Sequence, residues 1–323
     1  MTNATWEHFW LNEGWTRWLE CRIQAKLEGE RTGDPAAGEA LYNFLMQDAS
    51  SHLVDAIKTF GDDSPLTLLV PDLEGIDPDD AFSAVPYEKG ISFLNHLTDV
   101  VGGRAPFEDF ARAYIAEFSM RTVTSDEFRT FFVSYCTARD VDASGVDWDL
   151  WFFAPGMPPV DTFDLADTLG EQCVQLVERW MAEHAGRSGG FEAAEFTDWP
   201  SKLQIHFLDT LQSRCAAAET PPLSTATLEK MDALYGLSAL KNSEMRFRWQ
   251  RVCMRHRVGF IVPHVIDFLK AQGRMKFVRP LFRDLYAWDA QRDLAVSTFR
   301  EWKQYYHPIC AKMLAQDLKL QDE

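Results

Sequence analysis

Apolar residues recur at helical spacing along most of the chain. In TWEHFWLNEGWTRWLECRIQAKL, residues 5–27, large apolar side chains return every three or four positions over about six turns, which predicts one long helix. The same period predicts helices in PYEKGISFLNHLTDVVG and PFEDFARAYIAEFSM, each with a proline at its start, and in TSDEFRTFFVSYCTA, capped by Thr124 or Ser125. No convincing strand alternation occurs in the first half, and PLTLLVPDL between Pro65 and Pro71 is predicted to be extended.

A linker is predicted where the helical period stops. FFAPGMPPVDTFD, residues 152–164, contains three prolines and a glycine, which interrupt helices. The predicted organisation is a first domain over 1–153, a linker over 154–163 and a second domain over 164–323. A loop is predicted at HAGRSGGFEAA, and the second-half helices are expected at 165–185, 197–214, 224–235, 242–256, 260–272, 274–288 and 290–318. Consecutive helices with short connections indicate an all-α chain whose second half is an α-solenoid or irregular bundle.

The first helix places a carboxylate among large aromatic rings. Positions seven, four and three before Glu13 share its helical face, and these are Trp6, Phe9 and Trp10. Glu13 is therefore expected to point toward the interior, where a carboxylate is costly unless it is paired or bound to metal. Arg17, four positions on, offers an ordinary ion pair on the helix surface as the alternative.

Composition and charge restrict the class of protein to which this chain can belong. A chain of 323 residues with 46% hydrophobic residues can bury a substantial core, and its length suggests two domains. A formal charge of −17 argues against a nucleic-acid partner, because phosphate binding needs clustered Lys and Arg. No unbroken apolar stretch of spanning length or secretory leader is recognised, so no membrane partner is expected. Six scattered cysteines without a CxxC pair favour reduced thiols and a cytoplasmic location.

The string WEHFWLNEGWTRWLE closely resembles the helix that follows the HExxH zinc helix in the gluzincin aminopeptidases of peptidase family M1. The similarity is greatest to the branch of leukotriene A4 hydrolase and aminopeptidase B. DLEGIDPDDAFSAVPYEKG, PPVDTFD, NSEMRFRWQRVC and QGRMKFVRPLF resemble further motifs of that branch in the same order. The resemblance implies the helical C-terminal part of a thermolysin-like catalytic domain, followed by an armadillo-like α-solenoid domain.

The resemblance also implies roles for individual residues. Glu13 corresponds to the third protein ligand of zinc, and Glu20 to a carboxylate that orients a ligand histidine. Tyr87 in VPYEKG corresponds to the phenol that stabilises the tetrahedral intermediate of peptide hydrolysis. Arg274 and Lys276 in GRMKF correspond to cations that bind the carboxylate at the substrate's C-terminus. The implied activity is zinc-dependent removal of N-terminal residues from short peptides.

Epoxide hydrolysis is a less secure implication of the resemblance. Asp79 corresponds to an acidic substrate-site residue that helps to direct water during epoxide opening in leukotriene A4 hydrolase. Phe82 stands where that hydrolase has a second active-site tyrosine. The loss of this hydroxyl favours peptidase over epoxide hydrolase activity.

Two zinc ligands of the family have no counterpart in this sequence. None of its eight histidines lies four residues from another, so no HExxH motif is present, and the amine-binding GxMEN stretch is also absent. We therefore expect a piece of a longer enzyme, inactive alone, with the N-terminal half packing on residues 1–153. The alternatives are a separate polypeptide that supplies that half, or a truncated paralogue acting as a non-catalytic helical scaffold in partner binding.

Overall fold

The computed structural model describes residues 1–184, 190–216 and 223–320. Within these ranges nearly all regular structure is α-helical, which confirms the all-α prediction. Of the predicted HAGRSGGFEAA loop, residues 185–189 lie outside the described ranges. The chain divides into two compact units, Met1–Leu169 and Gly170–Glu323.

The first unit is built on three long helices that pack together, α1 against α2 and α3. A two-residue parallel strand pair, β1 with β2, joins the start of the unit to the segment before α5 in the register Thr2 to Thr122. The elements are β1 (Thr2–Asn3), α1 (Trp10–Thr32), α2 (Pro35–Phe60), α3 (Val85–Val100), α4 (Arg104–Glu117), β2 (Thr122–Val123), α5 (Ser125–Thr137) and α6 (Trp148–Phe153).

Local sequence explains how these helices begin and end. Gly33 ends α1 in the left-handed conformation at φ 69°, and the Asp34 carboxylate then caps α2 by accepting from the amide of Ala36. Thr124, one of the two predicted cap residues, forms a reciprocal capping box with Glu127 at the start of α5. The core between these helices is aromatic, with the Trp15 ring stacked on rings from α4.

The first helix begins later than its hydrophobic period predicted. Trp6–His8 form a 3-10 turn, and α1 starts only at Trp10. Trp6 consequently lies outside the helical face of Glu13, with 56% of its surface exposed. This start coincides with a distant contact: the Ser125 hydroxyl lies 2.9 Å from His8 Nδ1 and accepts a hydrogen bond from Trp10 Nε1.

Two other segments of the first unit differ from the sequence reading. The 26-residue helix α2 was not predicted, since its Ala, Gly and Ser positions dilute the apolar period. Gly38 is required there, because a Cβ would lie 2.4 Å from the Ala25 carbonyl oxygen of α1. The stretch 65–73 opens with a 3-10 turn at Pro65–Thr67, after which Leu68 is extended and residues 69–73 form neither helix nor strand.

The second unit repeats a helix-packing pattern. Helix α9 contacts α11, α11 contacts α13, and α13 contacts α15, so alternate helices pack side by side, as is typical of a solenoid. The helix predicted over 290–318 is divided in two, because Pro308 begins a new helix. The elements are α7 (Thr168–His184), α8 (Ala194–Thr197), α9 (Ser201–Ala216), α10 (Thr225–Tyr235), α11 (Ser243–Arg255), α12 (Val262–Ala271), α13 (Met275–Ala287), α14 (Arg292–Trp302) and α15 (Pro308–Asp317).

The structure also bears on the predictions about membrane-spanning helices and about the cysteines. Among the described residues, no helix combines the length and apolar character needed to cross a bilayer. The cysteine side chains are buried except that of Cys215, which is partly exposed.

Candidate functional site

The first turns of α1 and α3 bring Glu13 and Tyr87 together. The Tyr87 phenol and the Glu13 carboxylate lie close enough for each group to affect the pKa of the other. Burial raises the pKa of Glu13, and the neighbouring Tyr87 phenol opposes that rise. Burial and the nearby Glu13 charge raise the pKa of Tyr87, so the phenol stays protonated at neutral pH. The half-buried pair combines a carboxylate that can bind a cation with a phenol that can donate to an oxyanion.

Two glycines allow these helices to approach so closely. Gly14 follows Glu13 on α1, and Gly90 lies one turn after Tyr87 on α3. A Cβ built on Gly14 would lie 2.9 Å from the Gly90 Cα, and one built on Gly90 would lie 2.8 Å from the Gly14 Cα. The backbones therefore touch with no space for a side chain, which fixes the separation of Glu13 and Tyr87.

Aromatic rings surround the phenol and line an adjoining pocket. The Phe9 ring meets the Tyr87 ring edge to face at 6.2 Å, the Phe82 ring lies 6.3 Å from it, and Trp6 packs on Phe9 at 5.2 Å. The pocket has a volume of about 230 Å³ and is lined by residues from 6–9, 66–73 and 78–86. Asp79 lies exposed among these lining residues. The site thus pairs an apolar pocket with few polar groups, as small-molecule and peptide sites commonly do.

Glu20 lies on the same helix as Glu13 but in a separate ionic network. Its carboxylate accepts from Arg17 Nη1 and from Gln24 Nε2, each at 2.9 Å, and 42% of its side chain is exposed. Arg17 is itself buried and also forms an ion pair with Glu88 of α3 at 3.0 Å. The alternative of a surface Arg17–Glu13 pair therefore does not describe Arg17, whose charge is engaged with other carboxylates.

Sequence reasoning missed two buried charges beside Tyr87, namely Glu88 and Lys89. Lys89 is fully buried, and its ammonium donates to the carbonyl oxygens of Thr67, Ala154 and Gly156 at 3.0, 2.8 and 2.9 Å. It thereby connects α3 to the 3-10 turn at 65–67 and to the segment after α6. One signal was available in the sequence. Glu88 and Lys89 directly precede the run GISFL, so they lie on a helix that is buried along most of its length.

The burial of Lys89 predicts a specific pH dependence of stability. Burial lowers its pKa from 10.5 to about 8, so between these values the unfolded chain binds more protons than the folded chain. Relative to a Lys89→Met variant, the free energy of unfolding should rise with pH across this window by up to about 1.4 kcal/mol per pH unit. Urea titrations of both proteins from pH 7 to 10.5 measure the difference. A difference that is constant or falls with pH would contradict the assignment.

Arg274 and Lys276 belong to the second unit, where they flank the start of α13. Arg274 is the N-cap residue of that helix, and its guanidinium lies 5.9 Å from the centre of the Phe277 ring. Lys276 Nζ donates to Glu244 at 2.6 Å, and Glu244 also accepts from Arg248. The two predicted carboxylate-binding cations are therefore adjacent, and Lys276 shares its charge with an acidic neighbour.

The metal-binding capacity of this chain depends on the ligand side chains that it brings together. Glu13 has the properties of one carboxylate ligand: it is half-buried and lies beside a phenol. Over residues 1–184, 190–216 and 223–320, no group of three or more His, Cys, Asp or Glu side chains has the arrangement to hold a metal ion. Glu13 therefore fits a metal site as a single donor.

Comparison with known families identifies the class as a peptidase. Residues 1–151 match the model described as the peptidase family M1 domain, and residues 199–318 match leukotriene A4 hydrolase, C-terminal. The chain belongs to peptidase family M1. Together the two matches confirm the resemblance inferred from the NEG and PYEKG motifs.

Individual relatives agree with this assignment. The chain is 37% identical to leukotriene A-4 hydrolase of Xenopus laevis, over 99% of the chain and 50% of that protein. It is 36% identical to leucine aminopeptidase 2 of Neurospora crassa, over 98% of the chain and 45% of that protein. The structure of native leukotriene A4 hydrolase from Saccharomyces cerevisiae superposes with a TM-score of 0.83 at 33% identity, covering 99% of this chain and 51% of that one. The chain thus spans about half the length of the relatives it matches.

Proposed function

We propose that this chain supplies one zinc ligand and the oxyanion-stabilising phenol of an aminopeptidase that acts on short peptides. The observation that carries the proposal is the juxtaposition of Glu13 and Tyr87, on two helices in backbone contact, beside an apolar pocket. Family membership gives this pair its chemical context, and relatives include proteins named leucine aminopeptidase 2. The structure of a similar yeast leukotriene A4 hydrolase is also known in complex with bestatin.

The residues on this chain have distinct roles in the proposed reaction. Glu13 would hold the metal together with donors from outside this sequence, which lacks HExxH. Zinc at such a site supplies Lewis-acid polarisation of the scissile carbonyl. Tyr87, protonated because of its raised pKa, donates a hydrogen bond to the developing oxyanion. Phe9 and Trp6 exclude water on one side of the phenol and thereby strengthen that hydrogen bond.

Substrate binding is assigned to charged residues at two places. Asp79 at the pocket is proposed to contact the polar end of a bound peptide. Arg274 and Lys276 are proposed to bind the carboxylate at the peptide's C-terminus, Arg274 through its planar fork and Lys276 as a point charge. Phe82 offers no hydroxyl for epoxide opening, so peptide hydrolysis is the function that this pocket supports best.

A face of α1 is proposed to receive the remaining part of the catalytic domain. Leu19, Ile23 and Leu27 are 42%, 54% and 58% exposed and lie one turn apart along α1, the helix that also carries Glu13. An exposed aliphatic row on the helix of a metal donor is suited to a partner helix that buries it and brings further donors. Glu20 is proposed to orient a histidine on that incoming helix.

Reconstitution with half of a relative tests this function. The chain is expressed alone and together with the part of the Xenopus laevis hydrolase that it does not match. Alone, it is expected to retain no stoichiometric zinc and to leave aminoacyl p-nitroanilides intact. The associated pair is expected to hold one zinc and to hydrolyse them. The Glu13→Gln variant should still associate but lose zinc, whereas Glu30→Gln, exposed at the far end of α1, should behave as the parent.

Metal analysis and size-exclusion chromatography separate the possible outcomes. A pair that associates without binding zinc, or a Glu13→Gln pair that keeps both zinc and activity, would overturn the proposal. The first result would favour the non-catalytic scaffold that the sequence left as an alternative, and the second would exclude Glu13 as a zinc ligand.

A further inference from the structure

Four consecutive residues at the start of α3 each make a separate anchoring contact. Tyr87 packs on the Phe9 ring, Glu88 pairs with Arg17, Lys89 binds backbone carbonyls, and Gly90 touches the α1 backbone. We infer that Arg17 is a positioning residue, which holds α1 and α3 in the register that sets Glu13 opposite Tyr87. The inference rests on the proposed function for the role of that pair.

The bridge between the helices is short, buried and adjacent to the site. Arg17 Nε donates to Glu88 Oε2 at 3.0 Å, and each side chain is 7% exposed. Arg17 lies one turn after Glu13 on α1, and Glu88 is the residue next to Tyr87 on α3. Each end of the bridge is thus joined to one member of the pair through rigid helical backbone. A sliding movement of α1 along α3 would displace the carboxylate and the phenol relative to each other, and small displacements of that kind are costly in catalysis.

Further contacts fix the orientation of the guanidinium. Its Nη1 donates to Glu20 at 2.9 Å, and its Nη2 lies 3.5 Å from Asp48 of α2. His52 of α2 lies 3.6 Å from the second oxygen of Glu88. Each nitrogen of the planar Arg17 guanidinium therefore has a carboxylate partner. A lysine ammonium cannot reproduce this geometry. The Gly14–Gly90 contact sets how closely the helices approach, and the Arg17 bridge sets their register along the axis.

The register can be measured by NMR on the full chain labelled with ¹³C-tyrosine and ¹³C-phenylalanine. Tyr87 is assigned from the signal lost in Tyr87→Phe, and its ring should show cross-relaxation with Phe9, whose ring centre lies 6.2 Å away. In Arg17→Met these cross-peaks are expected to weaken at least twofold, with the Tyr87 Cζ shift moving toward its value in Glu13→Gln. Arg17→Lys should recover only part of the change.

A matched control separates positioning from general loss of stability. Arg22 lies on the same helix and forms a bridge of similar length, 3.1 Å, to Glu108 of α4. Arg22→Met should leave the Tyr87 signals unchanged. Glu88→Gln, which keeps the shape of its side chain, provides a second test if Arg17→Met does not fold. A folded Arg17→Met or Glu88→Gln variant with parental Tyr87 signals would overturn the inference.

Kinetics of the reconstituted pair provide the functional measurement. Arg17→Met is expected to lower kcat about tenfold with little change in KM, because bound substrate would meet a displaced phenol. An unchanged kcat would contradict the inference. The NMR result does not require an active pair, so a failed reconstitution would count against the proposed function and leave the test of Arg17 intact.

Discussion

Replacing Tyr87 by phenylalanine is expected to lower kcat of the reconstituted pair by about 10²–10³-fold while zinc content stays at one per pair. The substitution removes only the hydroxyl group, and loss of one oxyanion donor has an effect of about this size in other hydrolases. KM should change little, because the hydrogen bond is proposed to act mainly in the transition state. Steady-state kinetics with an aminoacyl p-nitroanilide and metal analysis of the same preparation give both quantities.

Tyr42→Phe is the matched control for this prediction. Its hydroxyl donates to Asn95 at 2.6 Å, and it belongs to a different cleft, beside α4. Removing it should change stability but not kcat. A Tyr87→Phe pair that retains parental kcat would eliminate Tyr87 as an oxyanion donor. Loss of zinc from that variant would instead show that the phenol acts through Glu13.

Gly14→Ala is expected to reduce the free energy of unfolding of the first unit by about 3 kcal/mol or more. The new Cβ would meet the backbone of Gly90 at 2.9 Å, and backbone atoms cannot rotate away as a flexible side chain can. The two helices must therefore separate, which also moves Glu13 away from Tyr87. Urea unfolding measures the stability, and the Phe9–Tyr87 cross-peaks report the separation.

Gly29→Ala on the same helix should not reduce the free energy of unfolding and is expected to raise it. Its nearest foreign atom would lie 3.5 Å from the new Cβ, an ordinary contact distance. Alanine in a helix interior is favoured over glycine by up to about 1 kcal/mol, so this variant should be as stable as the parent or more so. Equal effects of the two substitutions would show that the backbone contact at Gly14 does not restrict the helix crossing.

The sequence was sufficient for the helical class, for most helix positions and for nomination of Glu13 and Tyr87. Those conclusions depend on local periodicity, on capping residues such as Thr124, and on short motifs, all of which are visible within a few turns. The juxtaposition of Tyr87 and Glu13 could be seen only in the structure, because their separation is set by two glycines on different helices.

The features that escaped prediction depend on partners distant in sequence. Trp10, at the start of α1, donates a hydrogen bond to Ser125, and the burial of Lys89 depends on carbonyls near residues 67 and 155. The sequence suggested Arg17 as an ion-pair partner for Glu13, because only neighbours on the same helix can be inferred from sequence spacing. Its actual partner across the helix interface, Glu88, lies 71 positions away. Periodicity carries no information about which distant charge will occupy such a position.

The contacts of Ser125 also have a consequence for synthesis on the ribosome. The Trp10 indole and its hydrogen-bond partner Ser125 are separated by 115 residues. At about 5–20 residues per second, the ribosome needs roughly 6 to 23 s to add that length. During this interval the emerging chain exposes an aromatic-rich segment whose final partners do not yet exist. Nascent chains of this protein are therefore expected to depend on chaperones that hold the first helix until α5 has emerged.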